Sequence, residues 1–276
     1  MPRLRSSEWF LLAYFTYVAI ISLFFISSFW KPWILAAVVA AFVLGLARRE
    51  SWLRDFAPLP LTLAAFEEMN WFTPAVRDHH LEQTWIVWDR VLFDHDAFRA
   101  GIESAGSLLP NFFELCYVLV YAAAPVALWA LLANGRRDRI NHFWLAYLAG
   151  TLGAYALFPY FLSDSPRIAF PGENLPTIVT FLRRVNLWIA VNFDIHSSVF
   201  PSAHVSSALA AAWGLVEILP TRRWIGWTMA VYGLCVAIAT VYGRYHYAAD
   251  AVAGIAISFL GLAAVRLAGY RNRRGA

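Results

Sequence analysis

Residues 224–268 read WIGWTMAVYGLCVAIATVY, then GRYHY, then AADAVAGIAISFLGLAAVRLA. Two apolar runs, Trp224–Tyr242 and Ala249–Ala268, flank a short polar turn that contains an arginine and a histidine. A helix needs about 20 apolar residues to cross the hydrocarbon core of a bilayer. Both runs are about that long, so this stretch predicts two antiparallel membrane helices with the polar turn at one membrane face.

The same pattern continues outward along the chain. Apolar residues make up 60% of the 276 residues and charged residues 14%, and the mean hydropathy is +0.55. Soluble domains average about 45–50% apolar and 25% charged residues, so the composition excludes a disordered chain and an ordinary soluble enzyme. We therefore predict an all-α fold, a polytopic membrane helical bundle of about six transmembrane helices with interfacial amphipathic helices. The other apolar runs are Trp9–Trp30, Pro32–Ala47, Asn111–Ala133, Phe143–Leu162 and Pro201–Leu219.

The net charge of +4 comes from basic residues that cluster at the ends of the apolar runs. This placement indicates membrane topology and not nucleic-acid binding. With the arginine clusters at 136–139, 222–223 and 266–274 in the cytoplasm, the loop Ser163–Phe200 and the turn Gly243–Tyr247 lie together on the opposite face.

The N-terminal third fits this topology less simply. One more crossing is needed before the run at Asn111, and its only candidate, Phe56–Phe66, is short and contains two prolines. Either this segment enters the membrane partway or one helix of the first pair does not cross. We divide the chain into an N-terminal membrane hairpin (1–50), an amphipathic interfacial segment (51–109) and a helical bundle that carries the candidate site (110–270).

The segment around residues 67–109 mixes acidic residues and histidines with tryptophans, which is typical of helices in the headgroup zone. His79 and His80 raise the question of a metal site. Adjacent residues point about 100° apart on a helix, which suits a shared metal poorly, so we predict no metal.

Titratable residues occur where two of the apolar runs begin. His204 opens one run, and His246 and Asp250 open the last. The chain crosses the membrane twice between these residues, once in each direction, so His204 and His246 lie at the same membrane face. His246 and Asp250 share one helix face if the helix has begun by His246. A carboxylate at Asp250 can then hold one imidazole nitrogen and leave the other free to attack.

Groups that favour anions lie beside these histidines. Ser202 and the backbone at Ala203 form a helix N-terminus, whose free N–H groups attract negative charge. Arg244 and Arg167 each add a planar cation that suits phosphate. Together these residues predict a phosphate-handling site on one face of the membrane.

The residues resemble the type 2 phosphatidic acid phosphatase superfamily over about Asn111–Ala268. The run Pro201-Ser202-Ala203-His204 is similar to its second motif, Pro-Ser-Gly-His. Arg244 followed by His246-Tyr247-Ala248-Ala249-Asp250 is similar to its third. The lysine of the first motif is absent and Ala203 replaces glycine, a pattern more similar to the branch of inositol phosphorylceramide and sphingomyelin synthases.

The resemblance implies a membrane lipid phosphatase or phosphotransferase without metal or cofactor. His246 would be the nucleophile that forms a phosphohistidine, Asp250 would orient it, and His204 would be the general acid and base. The phosphoryl oxygens would be bound by Ser202, Ala203, Arg167 and Arg244. The substrate would be a phospholipid or lipid phosphate in the bilayer, and the acceptor would be water or a lipid alcohol.

Other functions are also compatible with the sequence. A proton- or ion-coupled transporter would use the same histidines and aspartate as a relay, although these residues lie at span ends and the spans have no inverted repeat. A haloperoxidase and an inactive membrane scaffold are further alternatives. The arginine pattern predicts a multi-pass protein of the bacterial inner membrane with its active site on the periplasmic face.

Overall fold

The computed structural model describes residues 4–93 and 95–274, and these residues form helices and no strand. The predicted all-α membrane bundle is therefore confirmed. In chain order the helices are α1 (Ser6–Phe25), α2 (Trp30–Leu46), α3 (Trp52–Phe56), α4 (Pro58–Glu67), α5 (His80–Phe93), α6 (His95–Glu103), α7 (Leu108–Val118), α8 (Ala123–Ala133), α9 (Ile140–Tyr155), α10 (Pro166–Ala169), α11 (Phe181–Phe193), α12 (Ala203–Ile218), α13 (Arg223–Tyr242) and α14 (Ala248–Arg274).

Within the described residues, four segments are long and apolar enough to cross a membrane: Ser6–Phe25, Leu108–Ala133, Arg223–Tyr242 and Ala248–Ala268. Two shorter apolar helices, α2 with 17 residues and α12 with 16, accompany them. The expected count of about six is thus reached only with these shorter helices. The apolar runs overstate helix length because α12 begins at Ala203 rather than at Pro201.

Helix α12 lies at the centre of the bundle and packs against α9, α13 and α14. Most of its residues are buried, and many are alanine, serine or glycine, which lets neighbouring helix backbones approach closely. A close contact joins it to α14, where a Cβ on Gly254 would lie 2.5 Å from the carbonyl oxygen of Ser202. A glycine at this position therefore lets the first turns of α12 and α14 lie side by side.

One end of the bundle holds a network of ion pairs, and we call it the basic end. The two carboxylate oxygens of Asp55 pair with Arg5 at 2.8 Å and Arg137 at 2.7 Å. Arg54 donates to both carboxylate oxygens of Glu8, at 2.6 and 2.8 Å. The network joins the start of α1, helix α3 and the segment just before α9.

The opposite end, which we call the histidine end, contains His204 and His246. The broken helix of α3 and α4 connects the two ends. The Asp55 carbonyl accepts from Trp144 at 2.7 Å at the basic end, and Asn70 accepts the backbone N–H of His196 at 3.0 Å at the other. Pro58 begins α4, where a proline is tolerated because its missing N–H would have no helical partner. The segment whose crossing was left open by the sequence thus runs between the two ends.

Amphipathic helices surround the histidine end. Trp85 of α5 stacks on Phe200 with ring centroids 4.9 Å apart and contacts Tyr247 at 5.6 Å. These contacts place α5 directly against the two segments that carry the histidines.

Candidate active site

The turn Gly243–Tyr247 ends α13 and redirects the chain into α14. The N–H of Arg244 donates to the Val241 carbonyl at 3.1 Å and the N–H of Tyr245 to the Thr240 carbonyl at 3.0 Å. This is the pattern of a Schellman motif, whose left-handed residue is usually glycine. Here it is Arg244, with φ of +59°, at a cost of about 1 kcal/mol in backbone energy.

His246 leaves this turn and pairs with Asp250. Its Nδ1 lies 3.2 Å from Asp250 Oδ2, and the same oxygen accepts the N–H of Tyr247 at 2.9 Å. The helix begins only at Ala248, so the expectation that both residues share a helix face is wrong. The contact arises because Asp250 caps the first turn of α14 while His246 still belongs to the preceding turn. With Nδ1 engaged, Nε2 of His246 is the nitrogen available for chemistry.

His204 lies in the first turn of α12, facing His246. The two ring centroids are 5.8 Å apart and the rings are inclined by 65°. Tyr117 stacks on His204 at 5.0 Å, and the Tyr121 hydroxyl is 3.5 Å from its Nε2. Tyr121 belongs to a 3-10 segment, Leu119–Ala122, that interrupts the helix between α7 and α8, a device often found at functional sites.

The two histidines line a small polar cavity of about 60 Å³. That volume holds roughly four water molecules, which is also the scale of a phosphoryl group. Arg167 and Ser165 line the same cavity, and the Arg167 Nε and Ser165 Oγ atoms are buried without a hydrogen-bond partner in the described part of the chain. Buried donors are almost always satisfied in native proteins, so these two are suited to receive an anion.

An acidic residue completes the cavity wall. Asp194 lies 3.5 Å from the guanidinium of Arg167. Burial raises the pKa of Asp194, and the charge of Arg167 partly opposes this effect. His246, in the turn outside the spanning helices, has its pKa lowered to about 4 by burial, and the Asp194 charge partly opposes that shift. The His246 imidazole is therefore neutral at pH 7, as a nucleophile must be.

The other predicted phosphate ligands are placed differently. Ala203 lines the cavity, but the side chains of Ser202 and Arg244 do not. Arg244 is fully buried and its Nη1 lies 3.3 Å from Asp89 Oδ2, while Asp89 Oδ1 accepts the N–H of Ala248 at 3.0 Å. Asp89 of α5 thus joins Arg244 to the N-terminus of α14, and the structure brings Arg167 but not Arg244 to the cavity.

A buried cluster behind the cavity was not found from the sequence. Glu114 of α7 pairs with Arg183 of α11 at 2.9 Å and accepts the Tyr245 hydroxyl at 2.8 Å. Tyr245 stacks on Tyr117 with centroids 4.0 Å apart, and Tyr117 in turn stacks on His204. These residues fix the ring of His204 from behind. Like Ser165 and Asp194, they lie on separate elements with no shared motif, so no spacing pattern could have revealed them.

The adjacent histidines of the interfacial segment do not come together on one metal. His80 Nδ1 contacts Asp78 at 2.7 Å. His79, Glu82 and Asp164 do each offer an atom within 4.8 Å of one another. These groups already have partners: Glu82 accepts from His79 and from the Asp164 backbone N–H, and the Asp164 carboxylate pairs with Arg77 at 3.0 Å.

The chain is 20% identical over 172 residues to undecaprenyl-diphosphatase BcrC of Bacillus subtilis (strain 168), a match covering 60% of this chain and 79% of the relative. No solved structure matches. None of these comparisons resolves the synthase branch, which stays a prediction. The profile of the PAP2 superfamily matches residues 86–264, more than half of the chain, and the chain therefore belongs to this superfamily.

Proposed function

We propose that this protein is a membrane lipid phosphatase that hydrolyses a lipid phosphoester or diphosphate through a phosphohistidine on His246. One observation carries the proposal. A neutral histidine, held on Nδ1 by buried Asp250, faces a cavity in which donors of Arg167 and Ser165 lack partners. A nucleophile, its orienting carboxylate and an anion-binding wall are thus assembled around a space of phosphoryl size.

In the first step, Nε2 of His246 attacks phosphorus and a P–N bond forms while the P–O bond to the leaving group breaks. His204 in its protonated form gives its proton to the leaving oxygen. The negative charge of the bound substrate favours that protonated form. Arg167, Ser165 and the backbone N–H groups at the start of α12 stabilise the charge on the transferring phosphoryl group.

In the second step, water attacks the phosphohistidine. His204, now neutral, takes the proton of the water, the P–N bond breaks, and inorganic phosphate or a phosphorylated headgroup leaves. Asp250 stabilises the positive charge on the His246 ring during both steps. Arg244 and Ser202 act in this scheme from behind the cavity. The Arg244 carbonyl accepts the backbone N–H of Arg167 at 3.3 Å, and the backbone N–H of Ser202 donates to the Asp250 carbonyl at 3.0 Å.

Water is the acceptor favoured here because the relative found is a diphosphatase. Transfer to a lipid alcohol, which the sequence left open, uses the same first step and a different second one. Transport is disfavoured because His204, His246 and Asp250 lie at one end of the bundle, whereas transporter sites lie near the bilayer midplane. The arginine-rich basic end favours a cytoplasmic location for that end, so the site would open on the periplasmic face of a bacterial inner membrane.

The test measures phosphate release from a panel of lipid phosphates and diphosphates by detergent-purified protein. His246→Ala should reduce turnover by about 10⁴-fold or more, because the covalent step is lost. His80→Ala is the matched control, since His80 is exposed and contacts only nearby groups. Adding a lipid alcohol and analysing the products separates hydrolysis from transfer. Full activity of His246→Ala would overturn the proposal.

A further inference from the structure

A large apolar groove joins the catalytic cavity from the side. Its volume is about 530 Å³, within the range of about 300–1,000 Å³ typical of ligand sites. Phe66, Ala203 and His204 line both the groove and the polar cavity. A molecule in the groove therefore has one end beside the general acid His204 and the other in an apolar environment.

Most of the lining of the groove is apolar and suits a hydrocarbon chain, and its acidic residue, Glu67, is exposed. Aliphatic and aromatic side chains of α4, α8, α9 and α11 form most of its wall. The hydroxyl of Thr62 already donates to the Pro58 carbonyl at 2.7 Å and that of Ser207 to the His204 carbonyl at 3.2 Å. A polar ligand in contact with these two groups would lose its hydration without finding free partners.

Helix α4 supplies a complete side of this groove. Leu59, Leu63 and Phe66 line it over two helical turns, which is about 10 Å along the axis. The α4 segment precedes residues 86–264, which match the superfamily profile. The wall formed by α4 thus lies outside the matched region, and it is fixed between the basic end and the histidine end by the contacts described above.

We propose that the groove binds the hydrocarbon chain of a polyprenyl phosphate or diphosphate, and that Leu59 and Leu63 of α4 determine how well such a chain is accepted. This inference rests on the proposed function, since the phosphate of the same molecule would occupy the catalytic cavity. The occupant follows from the continuity of groove and cavity. The groove reaches His204 as one continuous cavity, which suits one chain better than the two of a diacyl lipid. The similarity to an undecaprenyl-diphosphatase supports the same choice.

The experiment narrows the groove without touching the catalytic residues. Leu63 is 60% exposed and lines the groove, whereas Leu53 of α3 is 62% exposed and does not. Leu63→Trp and Leu53→Trp are therefore the same chemical change at two equally accessible positions. Hydrolysis is measured with undecaprenyl diphosphate and with dimethylallyl diphosphate, which has the same reacting group and only a very short chain. Binding of radiolabelled undecaprenyl phosphate gives a readout that does not need turnover.

We expect Leu63→Trp to raise the KM for undecaprenyl diphosphate about tenfold relative to that for dimethylallyl diphosphate, because a misfit of even one methylene costs about that factor. Leu53→Trp should leave the ratio of the two KM values unchanged. Equal effects of Leu63→Trp on both substrates, or no effect, would overturn the inference. Preference of the wild type for dioleoyl phosphatidate over undecaprenyl diphosphate would also overturn it, because the groove would then hold diacyl chains.

The proposed function and the groove can fail separately. If the wild type hydrolyses none of these substrates yet binds undecaprenyl phosphate, and Leu63→Trp weakens that binding while Leu53→Trp does not, the phosphatase proposal fails and the groove stands. If the wild type hydrolyses them but neither variant changes binding or KM, the phosphatase stands and the groove assignment fails.

Discussion

The two ends of the bundle treat their polar groups in opposite ways. At the basic end, every buried polar atom of the ion-pair network has a partner. At the histidine end, buried nitrogen or oxygen atoms of several side chains have none among the described residues. These side chains are Ser165, Arg167, Ser202, Arg244 and Asp250. A buried polar group without a partner costs about 1–3 kcal/mol. The unpaired atoms at the histidine end therefore lower the stability of the folded protein, whereas the paired groups at the basic end do not.

The difference separates a structural role from a chemical one. Fully paired charges at the basic end fix the relative positions of α1, α3 and α9 and suit the arginine-rich side of a membrane. The unpaired donors of Arg167 and Ser165, which line the cavity, would gain partners when an anion binds, and their cost in the empty protein would then become binding energy. Substitutions at the two ends should therefore affect different quantities.

Among the substitutions that test the difference between the two ends, Arg167→Ala should have the largest effect. Arg167→Ala removes the guanidinium that lines the cavity and should lower kcat/KM by about 10²- to 10³-fold, as does the loss of one transition-state donor. Thermal unfolding should change little, because the partner Asp194 keeps access to the cavity. Phosphate release and melting temperature are measured on the same preparations.

Arg184→Ala is the matched control, since Arg184 follows Arg183 on α11 but is exposed. It should remain within about twofold of wild type. A drop of less than about tenfold for Arg167→Ala would remove this residue from the anion-binding wall.

The reverse result is expected at the basic end. Asp55→Asn leaves Arg5 and Arg137 without their shared carboxylate and should lower the free energy of unfolding by about 2 kcal/mol, a value reduced by the exposure of Arg137. The kcat of the folded fraction should not change. Asp138→Asn, at an exposed site of the same end, should cost less than about 0.5 kcal/mol. A large loss of kcat in Asp55→Asn without loss of stability would contradict the division of roles.

The smallest effect concerns pH. His246 must be neutral to attack, and burial lowers its pKa to about 4 from 6.5, so kcat/KM should remain high down to that region and fall below it. The charge of Asp194 raises this pKa while Arg167 and burial lower it. Asp194→Asn should therefore move the acid limb to lower pH, by roughly half a unit. A shift to higher pH would show that Asp194 does not act on His246.

The stability of the folded protein also depends on pH through His246. Because the folded protein binds the His246 proton less readily than the unfolded chain does, the contribution of His246 to stability is lost as the pH falls from 6.5 towards 4. The activity profile is therefore measured only where circular dichroism shows an unchanged helix content.

Part of the site could be predicted from local spacing. His204, His246 and Asp250 interrupt apolar runs, and charged groups at such places are costly and therefore conspicuous. The pairing of His246 with Asp250 followed from their separation of four residues, although the turn and the cap, rather than a shared helix face, produce it. Arg167 was found because it lies close to the end of an apolar run.

The remaining features depend on distant contacts. Arg244 was expected at the phosphate, but its partner Asp89 lies 155 residues earlier in the chain, and no spacing rule reports such a pair. Whether the α4 segment crosses the bundle could not be predicted, because it is short and contains two prolines. Its position depends on contacts that other elements make with its two ends. Some apolar runs are longer than the helices that they form, because they continue through turns such as the 3-10 segment after α9.

The hydrogen bonds of Asp89 to Arg244 and to the first residue of α14 can form only late in the synthesis of the chain. Glu8 meets Arg54 after only 46 residues, whereas Asp89 must await Arg244, 155 residues later. At about 5–20 residues per second, that delay is roughly 8–30 s. During this delay the partners of the Asp89 carboxylate on α5 have not yet been synthesised. The histidine end is therefore completed later than the basic end. A chain whose synthesis stops before α14 would contain all residues of the ion-pair network at the basic end but would lack Asp250, which holds His246.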